Sequence, residues 1–317
     1  MKKKSFLKMF LIILLIIILV ITITLTFIYN HYSSKINRVE IDRDYVTDVE
    51  SFSNNVEIPI DDNIINIALL GSDYSRGYGA SDATMILSLN PKTSSIKLFS
   101  LMRDIYLDLP DGGKSNLNYT LNTGGPELIL RTINYNFDLN VDKFIYVNLT
   151  NLPKIIDKLG GVEMEITSDE LNYINGYIDN IDKENGTKTA HLKNTGYQLL
   201  NGTQASAYCR IRYTEGRDFK RTERQRDVLS ALFKKFKDIN LTKVPGIISD
   251  LLPLVTTNMT DGEMLSIASK ALKMNISNIE QSRFPLDGDF TTEWTDMYHQ
   301  IIDLDATRTA IHQFINN

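Results

Sequence analysis

The sequence predicts an α/β domain with helices on both faces of a sheet, held to a membrane by one N-terminal helix. Three observations lead there. Between Lys8 and His31 runs a stretch without a charged residue, and about 20 helical residues at roughly 1.5 Å each cross a hydrocarbon core of about 30 Å. Over residues 61–317, apolar runs of strand length alternate with helical patterns, as α/β folds do. Several of those runs are almost continuously apolar, which suits strands covered on both sides. With 317 residues, 43% of them hydrophobic, the chain can bury a large core. Its formal net charge of -5 argues against a surface built for nucleic acid. The single cysteine, Cys209, excludes an intramolecular disulfide and a cysteine-rich zinc site. His31, His191, His299 and His312 lack metal-ligand spacing.

Taken in order, residues 1–8 carry Lys2, Lys3, Lys4 and Lys8 on the cytoplasmic side of a span over 9–30. Its isoleucines are poor helix formers in water, but unmet backbone groups in lipid would cost more than that preference. After the span, Lys35, Arg38 and Arg43 are outweighed by Glu40, Asp42, Asp44, Asp48 and Glu50. The positive-inside rule therefore places the rest of the chain outside the cell. A cleaved signal peptide is the competing reading; the apolar core is long for one, and no small-x-small site follows it. Residues 31–60 are polar and aperiodic and read as a stalk. Strands are expected at 64–71, 84–90, 96–102, 144–149, 162–167 and 207–213. Helices are expected at 126–137, opening after Gly124-Gly125-Pro126, and at 151–159, 221–238, 261–273 and 304–315. Strand order is not legible.

Charge is concentrated in one stretch. Arg210, Arg212, Arg217, Lys220, Arg221, Arg224 and Arg226 face only Glu215, Asp218 and Glu223 in the same segment. Guanidiniums match phosphate oxygens as a planar fork. If 207–213 is a strand, Arg210 and Arg212 share a face and repel unless an anion lies between them. On the next helix, Val228, Leu229, Leu232, Phe233 and Phe236 form an apolar stripe. Stepping back along it gives Gln225 and Arg221, in first turns that already favour an anion. The plain alternative is an exposed basic helix start, salt-bridged to its own acids. The opposite sign lies upstream. Asp73 follows one strand and Asp82 precedes the next, among Gly71, Gly77 and Gly79. Strand ends are where α/β sites form. Two carboxylates can hold magnesium there, or simply shape a polar turn. Arg103 and Asp104 follow the strand at 96–102, a usual place for a structural ion pair, and Lys114 and Asn116 lie in the glycine-rich loop beyond.

The motifs GSD, SDATMILSLNPKT, SLMRD, KSNLNYTLNTGGPELILRTI, LGGVEMEI, LNGTQASAYCRIRY and DFKRTERQ occur in that order. This series, from Ile64 to Leu232, resembles the LytR-CpsA-Psr family of cell-envelope proteins. The resemblance implies a three-layer α/β/α sandwich with a mixed central sheet and a groove for a lipid chain. It also implies a phosphotransferase on the outer face of a Gram-positive-type membrane, moving a glycopolymer from a polyprenyl pyrophosphate carrier to peptidoglycan, with Mg2+ at the pyrophosphate. Matched by position, Asp73 and Asp82 are the acidic, metal-associated residues. Arg103, Arg210, Arg212 and Arg221 bind pyrophosphate, Asp218 is the acid before the last of these, and Arg224 and Gln225 complete that motif. Lys114 falls in the matching loop motif. Arg76 stands in for an arginine that relatives carry at the position of Ala80, and Met102 replaces a usual proline. Beyond residue 240 the family series is not recognisable.

Pyrophosphate transfer needs charge stabilisation more than covalent help. The expected catalytic set is Asp73, Asp82, Arg103 and Asp218, with Asp73 or Asp218 as candidate base. The segments Phe144–Tyr146 and Phe233–Phe236 are candidates to line the carrier site, although such aromatic segments are more often plain core. Two other functions share the basic cleft: a membrane-anchored module that binds or regulates an anionic polymer without transforming it, and a metal-dependent pyrophosphatase.

Overall fold

The computed structural model describes residues 33–48, 61, 63–73, 77–237, 244–274 and 279–317. The expected membrane span and Arg76 lie outside these; among the described residues no helix is long and apolar enough to cross a membrane.

The described part of the chain opens with β1 (Asn37–Arg38) and α1 (Arg43–Thr47), then β2 (Ile65–Ser72), β3 (Ala83–Asn90) and β4 (Ser95–Leu101). A small hairpin, β5 (Tyr106–Asp108) and β6 (Lys114–Asn116), leads into α2 (Leu117–Phe137). Next come β7 (Lys143–Asn148), α3 (Leu152–Lys158), β8 (Val162–Ile166), α4 (Ser168–Asn185) and β9 (Gly196–Leu200). The helices α5 (Gly202–Arg210), α6 (Arg217–Lys237) and α7 (Val244–Leu251) precede β10 (Val255–Thr257) and α8 (Asp261–Leu272). The chain closes with β11 (Ile279–Phe284), the hairpin β12 (Phe290–Trp294) and β13 (Tyr298–Ile302), and α9 (Leu304–Asn316).

Seven strands form a mixed sheet in the order β1-β10-β7-β2-β3-β4-β11. Neighbours β2 and β7 are parallel, whereas β3 is antiparallel to both β2 and β4. Alternation along each strand divides the core. Ala68, Leu70, Ile86, Phe99, Leu101 and Phe144 face α2 and α9. Ile67, Met85, Leu87 and Leu98 face Leu229 and Phe233 of α6 and Ile267 of α8. Helices thus cover both faces, which is why these strands lack the polar alternation of a half-exposed sheet. A further apolar cluster joins β8, β9, α4, α5 and α6 beside the sheet.

Three expectations change. First, residues 37–48, read as part of a stalk, belong to the domain. β1 pairs with β10, and Val46 is fully buried in the main core. Second, 207–213 is not a strand: residues up to Arg210 end α5. Asn201 and Gln204 cap that helix reciprocally, and the capping box prevails over the alternation of AYCRIRY. Third, the helix expected from residue 126 is the second half of α2, which continues back to Leu117 across a break at Gly125, where φ is 65°. Pro126 has no N–H to carry the ladder through, so the chain turns at a glycine that tolerates this φ.

Candidate active site

Ridge and rim residues meet at the C-terminal end of β2. Asp73 follows that strand, and the Asp82 N–H donates to the Gly71 carbonyl, which holds the loop closed at the start of β3. Arg103 follows β4, on the adjacent sheet position. Arg210 ends α5, Arg212 lies in the turn after it, and Asp218 and Arg221 stand in the first turns of α6.

Three of the arginines, Arg103, Arg212 and Arg221, converge on two carboxylates. Asp82 Oδ1 accepts from Arg103 at 2.9 Å and lies 3.5 Å from Arg212 and 3.6 Å from Arg221. Asp218 lies 3.3 Å from Arg221, 3.5 Å from Arg103 and 3.6 Å from Arg212. Arg210 bridges Asp73 at 2.9 Å and Glu184 of α4 at 3.1 Å. Asp104 joins from beside Arg103 at 3.5 Å. The predicted pair Arg210 and Arg212 therefore does reach one pocket, from a helix end and a turn rather than from a strand face.

Four guanidiniums here meet five carboxylates, so the site is a neutralised lattice and not the purely basic cleft the sequence suggested. Burial pushes the Asp73 and Asp104 carboxyls above the ordinary carboxylate range, although Arg210 and Arg103 pull the other way. Burial lowers Arg221; repulsion from Arg212 and Arg103 lowers it further, against the opposing pull of Asp218 and Asp82. At Arg103 burial also opposes the charge, but Asp104, Asp218 and Asp82 outweigh it and raise the group. Arg103 Nε and Arg221 Nε are buried without a well-aligned hydrogen-bond acceptor, which leaves donor capacity for an incoming anion.

Two of the expected binders sit elsewhere. Arg224 is buried, donating to Glu170 at 2.8 Å, to the Ile211 carbonyl at 3.2 Å and to Thr214 at 2.7 Å. It braces the turn that carries Arg212 and does not line the cleft. Lys114 is ion-paired to Asp108 across the β5–β6 hairpin at 3.1 Å. Gln225 is in place: it lines the charged pocket, and its Oε1 lacks a partner.

The charged pocket, about 710 Å³, opens onto an apolar cavity of about 240 Å³ between α6 and the sheet. Arg210, Gln225, Cys209 and Leu149 line both. The cavity continues along Leu69, Met85, Ile145, Val228, Leu229 and Phe233. Of the aromatic segments proposed as lining, Phe233 and Ile145 contribute, whereas Phe144 and Tyr146 point into the core on the opposite face. Burial pushes the Cys209 thiol up to about 12, so it acts as an apolar wall.

Among the described residues no group of three His, Cys, Asp or Glu side chains is arranged to hold a metal ion alone. Asp82 still suits magnesium. Its ion pairs all fall on Oδ1, and no hydrogen bond among the described residues reaches Oδ2. Magnesium usually takes one or two carboxylates and completes its shell with substrate phosphates and water.

Sequence reasoning missed Glu184, Lys183 and Tyr177 of α4, which form one wall of the pocket. It also missed Trp294, Tyr298 and Gln300, in a region without recognised motifs, which line an adjoining cleft on the far side of Asp82.

Comparison with known proteins identifies the family. The profile of the LytR_cpsA_psr family matches residues 25–313. The polyisoprenyl-teichoic acid–peptidoglycan teichoic acid transferase TagU of Bacillus cereus (strain AH820) is 30% identical over 271 residues, 83% of this chain and 82% of that protein. The regulatory protein MsrR of Staphylococcus aureus (strain COL) is 29% identical over 237 residues, 74% of this chain and 67% of that protein. The structure of the LytR-CPS2A-psr family protein YwtF (TagT) with bound octaprenyl pyrophosphate lipid superposes with a TM-score of 0.61 at 21% identity, covering 88% of this chain and all of that one. A profile match through nearly the whole chain, over a fold shared with a solved member, makes this protein a member of the LytR-CpsA-Psr family.

Proposed function

We propose that this protein is a membrane-anchored transferase that moves a glycopolymer from a polyprenyl pyrophosphate carrier to a peptidoglycan hydroxyl on the outer face of the membrane. One observation carries the reading. Helix α6 presents Arg221 and Gln225 to the charged pocket and, further along, Val228, Leu229 and Phe233 to the apolar cavity. A single helix thus matches a charged head group and an apolar tail in sequence. TagU, named as a transferase acting on a polyisoprenyl-linked polymer, supports the substrate class.

In this mechanism Arg103, Arg212 and Arg221 exchange part of their contact with Asp82 and Asp218 for phosphate oxygens. The acceptor oxygen forms a bond to the phosphorus that carries the glycan. The bond from that phosphorus to the bridging oxygen breaks, and its electron pair leaves with polyprenyl phosphate. The guanidiniums, preorganised by their carboxylates, stabilise the charge that accumulates. The hydroxyl proton passes to Asp104 or Asp73, whose raised affinity for protons suits a base. Asp218, ringed by three guanidiniums, is better placed to hold them than to take a proton. A magnesium ion on Asp82, with Asp73 nearby, would neutralise pyrophosphate charge in a site whose carboxylates already outnumber its arginines.

Product analysis tests the reading. Full-length protein given a prenyl pyrophosphate-linked glycan and peptidoglycan strands should release polyprenyl phosphate and form a phosphodiester-linked product only when strands are present. Release of glycan phosphate at the same rate without strands would indicate a pyrophosphatase. No turnover, with the donor bound, would indicate a binding module.

A further inference from the structure

A second cleft, about 1090 Å³, lies on the other side of Asp82 and Arg103. The site above leaves its purpose open. Asp82 is the residue it shares with the charged pocket, so the two clefts meet at the reacting centre. Its far wall is the β12–β13 hairpin.

That hairpin is braced. His299 is buried, with Nδ1 2.6 Å from Asn116 Oδ1 and Nε2 3.0 Å from Thr295 Oγ1. Tyr106 packs on the imidazole at 4.2 Å between ring centroids. The Gln300 N–H donates to the Asp104 carbonyl at 2.8 Å. On this fixed support Trp294 stands 76% exposed, its ring 5.3 Å from that of Tyr298. Tyr119, also exposed, faces the same cleft from α2. An exposed tryptophan on a rigid hairpin beside a reacting centre is costly to leave bare and marks a contact surface.

The polar groups say what kind of contact. Gln300 and Asn118 line this cleft at 2% and 6% exposure, and Gln300 Oε1 and Asn118 Oδ1 have no hydrogen-bond donor. Buried amide oxygens without donors are rare, because each forfeits its hydration. Hydroxyl groups would satisfy them. Flat aromatic faces next to unsatisfied acceptors and to the carboxylates of Asp104 and Asp296 fit a chain of sugar rings, whose faces are apolar and whose edges carry hydroxyls. The volume exceeds that of a typical small-ligand pocket of about 300–1,000 Å³.

We propose that this cleft docks the acceptor glycan strand, an assignment that rests on the transfer reading above. The carrier's apolar cavity opens from the opposite side of Asp82, through Arg210 and Gln225. Phosphoryl transfer sets the attacking and leaving oxygens roughly in line. The hydroxyl therefore arrives from the flank opposite the carrier, and that flank is this cleft. Asp104 lines it and stands ready for the hydroxyl proton.

Trp294 is the only tryptophan of the chain, so its emission reports the cleft directly. Full-length protein in nanodiscs, titrated with soluble uncrosslinked peptidoglycan strands, should show a saturable change in tryptophan emission that octaprenyl pyrophosphate alone does not produce. Trp294→Ala should raise KM for the strands about tenfold, equivalent to roughly 1.4 kcal/mol of lost stacking. Its kcat and its affinity for octaprenyl pyrophosphate should stay unchanged, and Trp294→Tyr should restore most of the KM. Emission that ignores the strands at saturation, or a Trp294→Ala enzyme with unaltered KM, would overturn the assignment. Emission that follows a prenyl pyrophosphate-linked glycan but not the strands would overturn it too, by giving the cleft to the donor's sugars. A saturable response to strands in a protein that transfers nothing would refute the transfer reading while leaving the glycan cleft standing.

Discussion

Asp82 shows how a residue's neighbours decide its chemistry. Its Oδ1 gathers three guanidiniums whose mutual repulsion would otherwise spread them apart. A loop aspartate before a strand, an arginine after the next strand and arginines in a basic helix start were all legible, because each is a charged residue at a strand or helix end. Arg224 was not. It stands three residues after Arg221, on nearly the same helix face, and only the fold reveals Glu170 waiting beside it. Both side chains are almost fully buried. Removing one partner leaves a charge in the interior, which costs about 3–5 kcal/mol. Arg224→Ala should therefore lower stability by that amount in a denaturant titration, whereas Arg212→Ala, at a partly exposed position, should change it little.

Among elements, the strands at 64–71, 84–90, 96–102 and 144–149 were readable because burial on both faces leaves a near-continuous apolar run, and the strand at 162–167 because buried Val162, Met164 and Ile166 alternate with exposed Glu163 and Glu165. The last was misplaced in spirit, for β8 pairs only with β9 and lies outside the main sheet. Helix α5 misled because Tyr208, Arg210 and Arg212 alternate with apolar residues as a strand would. Its small residues record a packing demand instead. A Cβ on Gly202 would overlap the Pro153 carbonyl of α3, so the glycine allows the two helices to approach. Gly202→Ala should destabilise the fold by about 1–3 kcal/mol through overpacking. It should also weaken carrier binding, because α5 ends in Arg210. An unshifted melting temperature would show that α3 and α5 can separate freely.

At the scale of the molecule, the segment before β2 is stitched to the domain. Arg43 of α1 donates to Glu263 of α8, with one bond of 2.9 Å, and lies 3.5 Å from Asp142. That hydrogen bond holds the Glu263 carboxyl down to about 2 against the opposing effect of burial. A carboxylate with a depressed folded-state pKa binds fewer protons folded than unfolded. Its stabilisation is present above the unfolded value of 4.5 and is lost as pH falls toward about 2. Glu263→Gln should lower the melting temperature at pH 7, and the gap to the parent should close as pH drops through that window. A constant gap would mean the pair contributes packing and not charge. This anchoring was invisible in the sequence, where polar residues without period read as a stalk. The order of the sheet, and the cleft behind Trp294, were equally hidden, because both depend on residues far apart in the chain.

The central claim is that the head group of a prenyl pyrophosphate seats among Arg103, Arg212 and Arg221 beside Asp82. Equilibrium binding of octaprenyl pyrophosphate to the full-length protein, with and without magnesium, measures it directly. Losing one charged donor costs about 1.5–3 kcal/mol, so Arg212→Ala should bind roughly ten- to a hundredfold more weakly while keeping its melting temperature. Asp82→Asn should lose the magnesium dependence and retain magnesium-free binding. Equal affinity in the parent and in Arg212→Ala would contradict the account.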